Sequence, residues 1–431
     1  MTLRAAGAES GGASHHEDRR MQTQAALGPV PTGERLEVMD VLRGIALLGV
    51  FAMNIEWFNR PMQQMGSGLP LDATGLDYAV AWCVHVFVAG KFWTMFSLLF
   101  GMGFVLMSSR IAASGLSVER VYLRRMAALF AFGLLHIVLL WPGDILHTYA
   151  MAGVALMVLR VLAPKWQLAV GLLLYAAMAG FYLLNAAIIP FMPADMLADM
   201  TASFANGAAR ASMVYPDGGF GAVVVQRVSD YASLGLMTQM IMVPMVLGVF
   251  LVGSWLMSGR WLQAPAEHRR FWWRLLAFSL PPGLLFTGLS LAVGARFEQG
   301  ALDPLGVLST GLMLTGALPM SLAYVALLVL VWSSRTGARA LGVVAPAGRM
   351  ALTHYLGQSL VCSLVFYGYG LGLWGEWGRA MQTGFVLGVF ALQVAISHVW
   401  LSHHRYGPME WTWRWLTYGR RPGWRRIPAL P

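Results

Sequence analysis

Charge is what this chain has least of. Only 12% of its 431 residues are Asp, Glu, Lys or Arg, about half the share of an ordinary soluble domain, so a soluble globule is excluded. Cysteine is nearly absent as well. Cys83 and Cys362 build no disulfide framework and no thiolate metal site by themselves, and both lie in apolar stretches where a thiol packs as a small hydrophobe. The sequence also lacks a phosphate loop, a dinucleotide fingerprint, a His-Glu-x-x-His element and any Cys/His cluster with zinc-ligand spacing. No metal is expected, and any chemistry has to take place within helices or at their ends.

What is present is apolar. Hydrophobic residues make up 57% of the chain, mean hydropathy is +0.60, and there are 27 Met, 17 Trp and 48 Gly. Such a composition fits helices in lipid, where small residues permit close approach. The net charge of +10 suggests nucleic acid in a soluble protein, but in a lipid-embedded one it marks cytoplasmic loops. The expected partner is the lipid bilayer, with no nucleic acid.

Runs of about 17 to 25 apolar residues fall near 41–58, 89–108, 121–141, 144–162, 167–190, 233–257, 272–295, 307–333, 349–373 and 381–402. The fold class expected is therefore all-α, a polytopic membrane bundle of about ten helices. Basic residues collect in alternate connections: Arg35 and Arg43; Arg110, Arg120, Arg124 and Arg125; Arg160 and Lys165; Arg260, Arg269, Arg270 and Arg274; Arg335, Arg339 and Arg349; and Arg414 to Arg426. The intervening loops carry Asp72, Asp77, Asp195, Asp199, Asp217, Asp230, Glu298, Asp303 and Glu376. By the positive-inside rule both termini are cytoplasmic. Residues 1–34 lack an apolar run and read as a disordered cytoplasmic tail, with a membrane domain over 35–419 and a basic tail over 420–431. The pair Arg19-Arg20 has no hydrophobic segment close behind it, so the first span serves as the anchor. The stretch from Pro190 to Asp230 suggests a helix on the membrane surface, and Met409 to Tyr418 mixes Trp with Arg as an interfacial anchor does.

Ionisable residues at membrane depth are costly and point to function. This topology sorts them into a cytoplasmic layer of Asp40, Arg43, His354, Gln358 and His398, and an outer layer of Asn54, Glu56, Lys91, His136, Asp144 and His147. At ~100° and ~1.5 Å per residue, Arg43 and Asn54 leave one helix from nearly the same face, roughly 16 Å apart. That pair can hold an anionic cofactor inside and polarise a carbonyl outside. It also reads as an Asp40–Arg43 helix-start pair with Asn54 as interhelical glue. Pro142 and Gly143 break the chain between two spans, so His136 and Asp144 enter at similar depth, and Asp144 shares a helical face with His147. A carboxylate beside imidazoles makes a general base with its orienting group, or a hydrogen-bond network tying two helices. His85 reads as an exposed interfacial residue, and His403 and His404 as cytoplasmic.

The elements Asp40-Val-Leu-Arg43-Gly44, Phe96 to Phe104, Trp141-Pro-Gly-Asp144, Gly348-Arg349 to His354 and Gln358, Tyr367 to Gly372, and Tyr406-Gly-Pro-Met-Glu410-Trp resemble the bacterial YeiB-like family, a domain of unknown function numbered 418. The first two spans are also similar to those of transmembrane acyltransferases that include heparan-alpha-glucosaminide N-acetyltransferase. The resemblance implies a multi-pass protein of the bacterial cytoplasmic membrane, associated with the cell envelope, that uses acetyl-CoA or another acyl-CoA. Asp40, Arg43, Gly44 and Asn54 match that enzyme's first span, where the Asn belongs to the active site. The His that follows it there has no counterpart in Pro61-Met-Gln-Gln-Met-Gly66, which leaves the role to His136 or His147.

These readings combine into an acyltransferase. Arg43 and Arg349, near Asp40, His354 and Gln358, face the donor's phosphates, and Asn54 meets the acyl oxygen. His136 or His147, oriented by Asp144, takes a proton from an extracytoplasmic small-molecule or glycan acceptor bearing a hydroxyl or amine. The competing readings are a secondary transporter relaying protons through the same residues, and a non-catalytic component of envelope assembly. No second copy of the Trp-Pro-Gly-Asp break supports the paired broken helices of a transporter.

Overall fold

In lipid every backbone polar group must be satisfied within its own segment, so apolar runs of this length fold as helices. The computed structural model describes residues 36–64, 69, 73–294 and 303–426. The expected tail at 1–34, with Arg35, Asp72, Glu298 and residues 427–431, lies outside them. Along the first half run α1 (Glu37–Asn54), α2 (Gly75–Phe87), α3 (Lys91–Ala113), α4 (Val118–Leu139), α5 (Leu146–Leu159), α6 (Pro164–Ile188), α7 (Ala194–Asp217) and α8 (Phe220–Asp230). The second half holds α9 (Leu236–Ser258), α10 (Arg269–Gly294), α11 (Pro304–Trp332), α12 (Arg335–Gly342), α13 (Ala345–Arg349), α14 (Ala351–Phe366), α15 (Arg379–His403) and α16 (Pro408–Tyr418). Among the described residues there is no strand, and isolated bridge positions are confined to Leu69 and the His404–Arg425 pair.

The fold is an all-α polytopic bundle, and the protein is a multi-pass membrane protein. Eight helical stretches among the described residues are long and apolar enough to cross a membrane, and α5 and α14 are shorter apolar helices at the other two expected positions. In α1, 67% of the most apolar stretch is buried, against 22% in those of α6 and α10. That contrast separates a central helix from two whose faces are left to lipid.

Three expected boundaries shift for local reasons. The second span is preceded by α2, joined to it at Gly90, whose φ of 78° is a left-handed turn that suits glycine. His85, expected to be exposed, is buried on α2 with Nε2 3.3 Å from the Ser290 hydroxyl of α10. The ninth segment was expected to reach 373, yet α14 ends at Phe366, and the glycine-rich run after it folds back, with Gly368 N donating to Tyr215 O at 2.8 Å. The stretch 190–230 forms α7 and α8. Tyr215 of α7 stacks on Tyr367 and Trp374 at 4.8 and 4.6 Å, closing the end of the bundle near the α4–α5 hairpin.

Close crossings hold the interior. A side chain on Gly101 of α3 would strike the Phe250 carbonyl of α9, and one on Gly253 of α9 would strike the Leu98 carbonyl of α3. These two glycines let the backbones touch, which is how helices gain packing energy in lipid. Caps fix several starts: the Asp303 carboxylate accepts from Leu305 N at 3.2 Å and Gly306 N at 3.1 Å at the head of α11.

Candidate functional site

The site begins at the hairpin. α4 stops at Leu139, Pro142 donates no backbone hydrogen bond, and Gly143 turns beneath Trp141, which stacks on Phe58 at 4.6 Å. This delivers Asp144 to the head of α5, where its Oδ1 accepts from His147 N at 2.9 Å in the manner of a capping residue. The same oxygen lies 2.8 Å from His147 Nδ1. The other oxygen, Oδ2, is 2.9 Å from His136 Nδ1 on α4, though not aligned for a hydrogen bond. Asp144 is 6% exposed and each histidine 1%, so the three groups form an enclosed unit. A Cβ at Gly133 would stand 2.6 Å from Asp144 Oδ1; α4 and α5 meet here only because that residue has no side chain. On its far edge, His147 Nε2 is 3.0 Å from the Tyr231 hydroxyl.

One cavity of about 1020 Å³ joins this hairpin to a cluster of arginines. On α1 the lining residues include Arg43, Leu47, Val50 and Asn54, spaced by four, three and four, which is one face of a helix. At one end stand Arg43, Arg110, Arg125, Arg349, Arg405 and Arg414; at the other, Asn54, Glu56, Trp141, Asp144, Tyr231 and Arg379. Its middle is apolar, with Leu47, Val50, Phe96, Leu99 and Phe100.

The arginine end is assembled by backbone contact. A side chain on Gly348 of α13 would collide with the Asp40 carbonyl of α1, and a Cβ on Gly44 would lie 2.5 Å from the Val344 carbonyl. The crossing brings α13, which ends at Arg349, against the stretch of α1 that carries Arg43, whose Nη1 is 3.1 Å from Asp40 Oδ1. Arg125 of α4 lies 3.5 Å from the centre of the Trp413 ring, a cation–π contact that fixes α16 against α4, and Arg414 lies 4.5 Å from that of Tyr406, just before α16. Glu410 of α16 caps α14, accepting from Leu352 N (2.7 Å), Thr353 N (3.0 Å) and the Thr353 hydroxyl (2.6 Å). Burial pushes its carboxyl above the usual glutamate range, against the pull of those bonds.

Not every expected residue reaches the cavity. Asp40, Arg43, Arg349, Asn54 and Asp144 line it; His136 and His147 lie behind Asp144. His354 and Gln358 turn to α15 instead. His354 Nε2 is 2.6 Å from the Ser397 hydroxyl, Gln358 Nε2 donates to Gln393 Oε1 at 2.9 Å, and Gln393 Nε2 donates back to His354 O at 3.2 Å. These bonds tie two helices together. Cavity residues that the sequence did not single out include Tyr231, Arg379, which pairs with Glu56 at 3.1 Å, and Arg125, Arg405 and Arg414. Arg125, Arg405 and Arg414 carried a signal, since they lie in basic connections expected on the same side as Arg43; Arg379 and Tyr231 carried none.

The buried hydroxyls of Tyr122 and Tyr355, both on the cavity wall, lack a hydrogen-bond partner among the described residues. Buried polar groups are normally satisfied, so these two hydroxyls are free to meet a polar group in the cavity. Among the described residues no group of three or more His, Cys, Asp or Glu is arranged to hold a metal ion.

A family model described as "Protein of unknown function (DUF418)" matches residues 256–420. The uncharacterized protein YxaH of Bacillus subtilis (strain 168) is 32% identical over 413 residues, covering 91% of this chain and 97% of that protein. The uncharacterized protein YeiB of Escherichia coli (strain K12) is 28% identical over 400 residues, or 89% of this chain and 96% of its own. An uncharacterized 39.9 kDa protein in the amylase 3' region of Bacillus acidopullulyticus is 26% identical over 399 residues, 92% of this chain and 97% of its own. No solved structure matches the chain. A likeness that runs the length of both partners covers the arginine end and the hairpin alike, and the chain belongs to the YeiB-like, DUF418 family.

Proposed function

We propose that this protein is a transmembrane acyltransferase of the cytoplasmic membrane. It takes an acyl group from acyl-CoA at the arginine end, on the cytoplasmic side, and passes it to a hydroxyl or amine acceptor at the hairpin end, outside. The observation that carries this reading is the single cavity with arginines at one end and Asn54 with Asp144 at the other. Guanidinium groups match phosphate oxygens in charge and geometry. Arg43 and Asn54 are eleven residues apart on one continuous helix, or about 16 Å, a span suited to an extended pantetheine arm between a phosphate site and a reacting carbonyl. The apolar middle accommodates that arm. In this scheme Asn54 donates to the carbonyl oxygen as negative charge develops, while the Asp144–histidine unit accepts the acceptor's proton.

The test is calorimetric titration of the full-length protein in nanodiscs with acetyl-CoA and with CoA. Wild-type protein binds both, and Arg43→Ala weakens each by about tenfold to a hundredfold, the loss of one charge-assisted contact, with no change in melting temperature beyond a few degrees. Equal affinity in the variant removes Arg43 from the donor site. No binding by the wild type removes the acyl-CoA reading, and a secondary transporter becomes the better one.

A further inference from the structure

The hydrogen bonds around His147 assign its protons. An ionised carboxylate can only accept, so His147 Nδ1, 2.8 Å from Asp144 Oδ1, carries a hydrogen. In the neutral ring the other nitrogen, Nε2, is then an acceptor. The Tyr231 hydroxyl 3.0 Å from it must donate. Asp144, His147 and Tyr231 thus form a directed chain of carboxylate, imidazole and hydroxyl, the order by which a buried acid and a base activate an O–H group.

Geometry sets which member meets a substrate. His147 is 1% exposed and is not part of the cavity wall, whereas Tyr231 lines it. The nitrogen a base would use is already covered by the phenol. Tyr231 opens a five-residue π-turn, Tyr231–Gly235, between α8 and α9, a widened turn of the kind often found at functional sites. Its position is fixed from both sides. The preceding Asp230 accepts from the Tyr215 hydroxyl at 2.7 Å and from Gln63 and Gln226 at 2.9 Å. At the other end of the turn, a side chain on Gly235 would strike the Tyr231 ring.

We propose that Tyr231 is a catalytic residue, the group through which the buried Asp144–His147 pair takes the acceptor's proton; this rests on the acyl-transfer reading. As the acceptor oxygen or nitrogen bonds to the thioester carbon, its proton moves to the phenol oxygen, and the phenol's own proton moves to His147 Nε2. Tyr231 stays neutral, and the imidazolium is held by Asp144. When the tetrahedral adduct collapses, the carbon–sulfur bond breaks, the proton returns along the same chain to the departing thiolate, and free CoA and the acylated acceptor are left.

Two measurements on the full chain in nanodiscs test this. The first uses N-acetylimidazole, a small reagent that acylates activated phenols, with peptide mass spectrometry to follow each tyrosine. Tyr231 should be acetylated about a hundredfold faster in wild type than in Asp144→Asn or His147→Ala, the usual worth of a general base, while other tyrosines keep their rates and report an intact fold. An unreactive Tyr231 in the wild type, or the same rate in Asp144→Asn, overturns the proposal. The second follows CoA thiol release from acetyl-CoA with glycerol or glucosamine as acceptor. Tyr231→Phe and His147→Ala should each cost about a hundredfold, and the double variant no more than either alone, because the groups act as one unit. Unchanged turnover in Tyr231→Phe removes the phenol from the reaction. Absence of turnover in the wild type counts against acyl transfer itself, while the labelling result still decides whether His147 activates Tyr231.

Discussion

Asp144 is the residue on which the site turns, because one buried carboxylate faces two imidazoles and caps the helix that carries one of them. Replacing Asp144 by Asn keeps the size and an acceptor for His147 N but removes the charge that stabilises an imidazolium. CoA release from acetyl-CoA should fall by about 100-fold to 10,000-fold, with the melting temperature little altered. Asp144→Leu also removes the capping oxygen and leaves buried ring nitrogens open, so it should lower thermal stability as well. Loss of stability without loss of turnover in Asp144→Asn would leave the hairpin a structural tie. The sequence brought Asp144, His136 and His147 to one place through a single break at Pro142 and Gly143. It could not reveal that Tyr231, 84 residues from His147, closes the chain of bonds, because nothing in its local pattern differs from any interfacial tyrosine.

At the scale of elements, the crossing of α1 and α13 decides whether the arginine end exists. Gly44 and Gly348 let the backbones meet, and that contact brings the turn carrying Arg349 against the stretch of α1 carrying Arg43. Gly348→Val should force the helices apart at a cost of about 1–3 kcal/mol, read as a lower melting temperature, and should weaken acetyl-CoA binding although no arginine has been changed. Retained affinity with a normal melting temperature would show that the crossing tolerates a side chain and does not set the arginine spacing. The placement of helices was legible from apolar run length, with α5 and α14 falling short of full spans. The end of α14 was not, because Gly368, Gly370 and Gly372 are apolar enough to extend a hydropathy window while folding the backbone away. His354 and Gln358 sit where a ligand-binding pair is plausible by depth, yet the rotation of α14 aims them at Ser397 and Gln393 of α15.

The molecule as a whole is organised around one cavity that connects unlike ends. A bulky residue midway should separate them functionally. Val50→Trp, on the lining face of α1 between Arg43 and Asn54, should abolish transfer to glycerol or glucosamine and weaken acetyl-CoA binding, because the indole fills the space the pantetheine arm needs. An unchanged melting temperature is the control for folding, and full transfer in this variant would mean that the two ends do not communicate through this path. Loop charge predicts how the cavity is oriented: reporter fusions after residue 265 should read as cytoplasmic and after residue 215 as outside, and the reverse would exchange the donor and acceptor sides.

Sequence alone determined that this chain lives in lipid as a bundle of helices, because scarce charge and long apolar runs leave the backbone no other way to satisfy its hydrogen bonds. It also determined that Arg43 and Asn54 share a face, since helical periodicity is local and holds wherever the helix is placed. Only the tertiary structure decided which polar residues see the cavity. That choice depends on how each helix is rotated about its axis against its neighbours, and the rotation is set by contacts such as Gly133 on Asp144 and Gly348 on Asp40 between helices distant in sequence or turned back on themselves. For that reason Asp144 faces the cavity, His354 faces α15, and Tyr231 stands between His147 and the cavity.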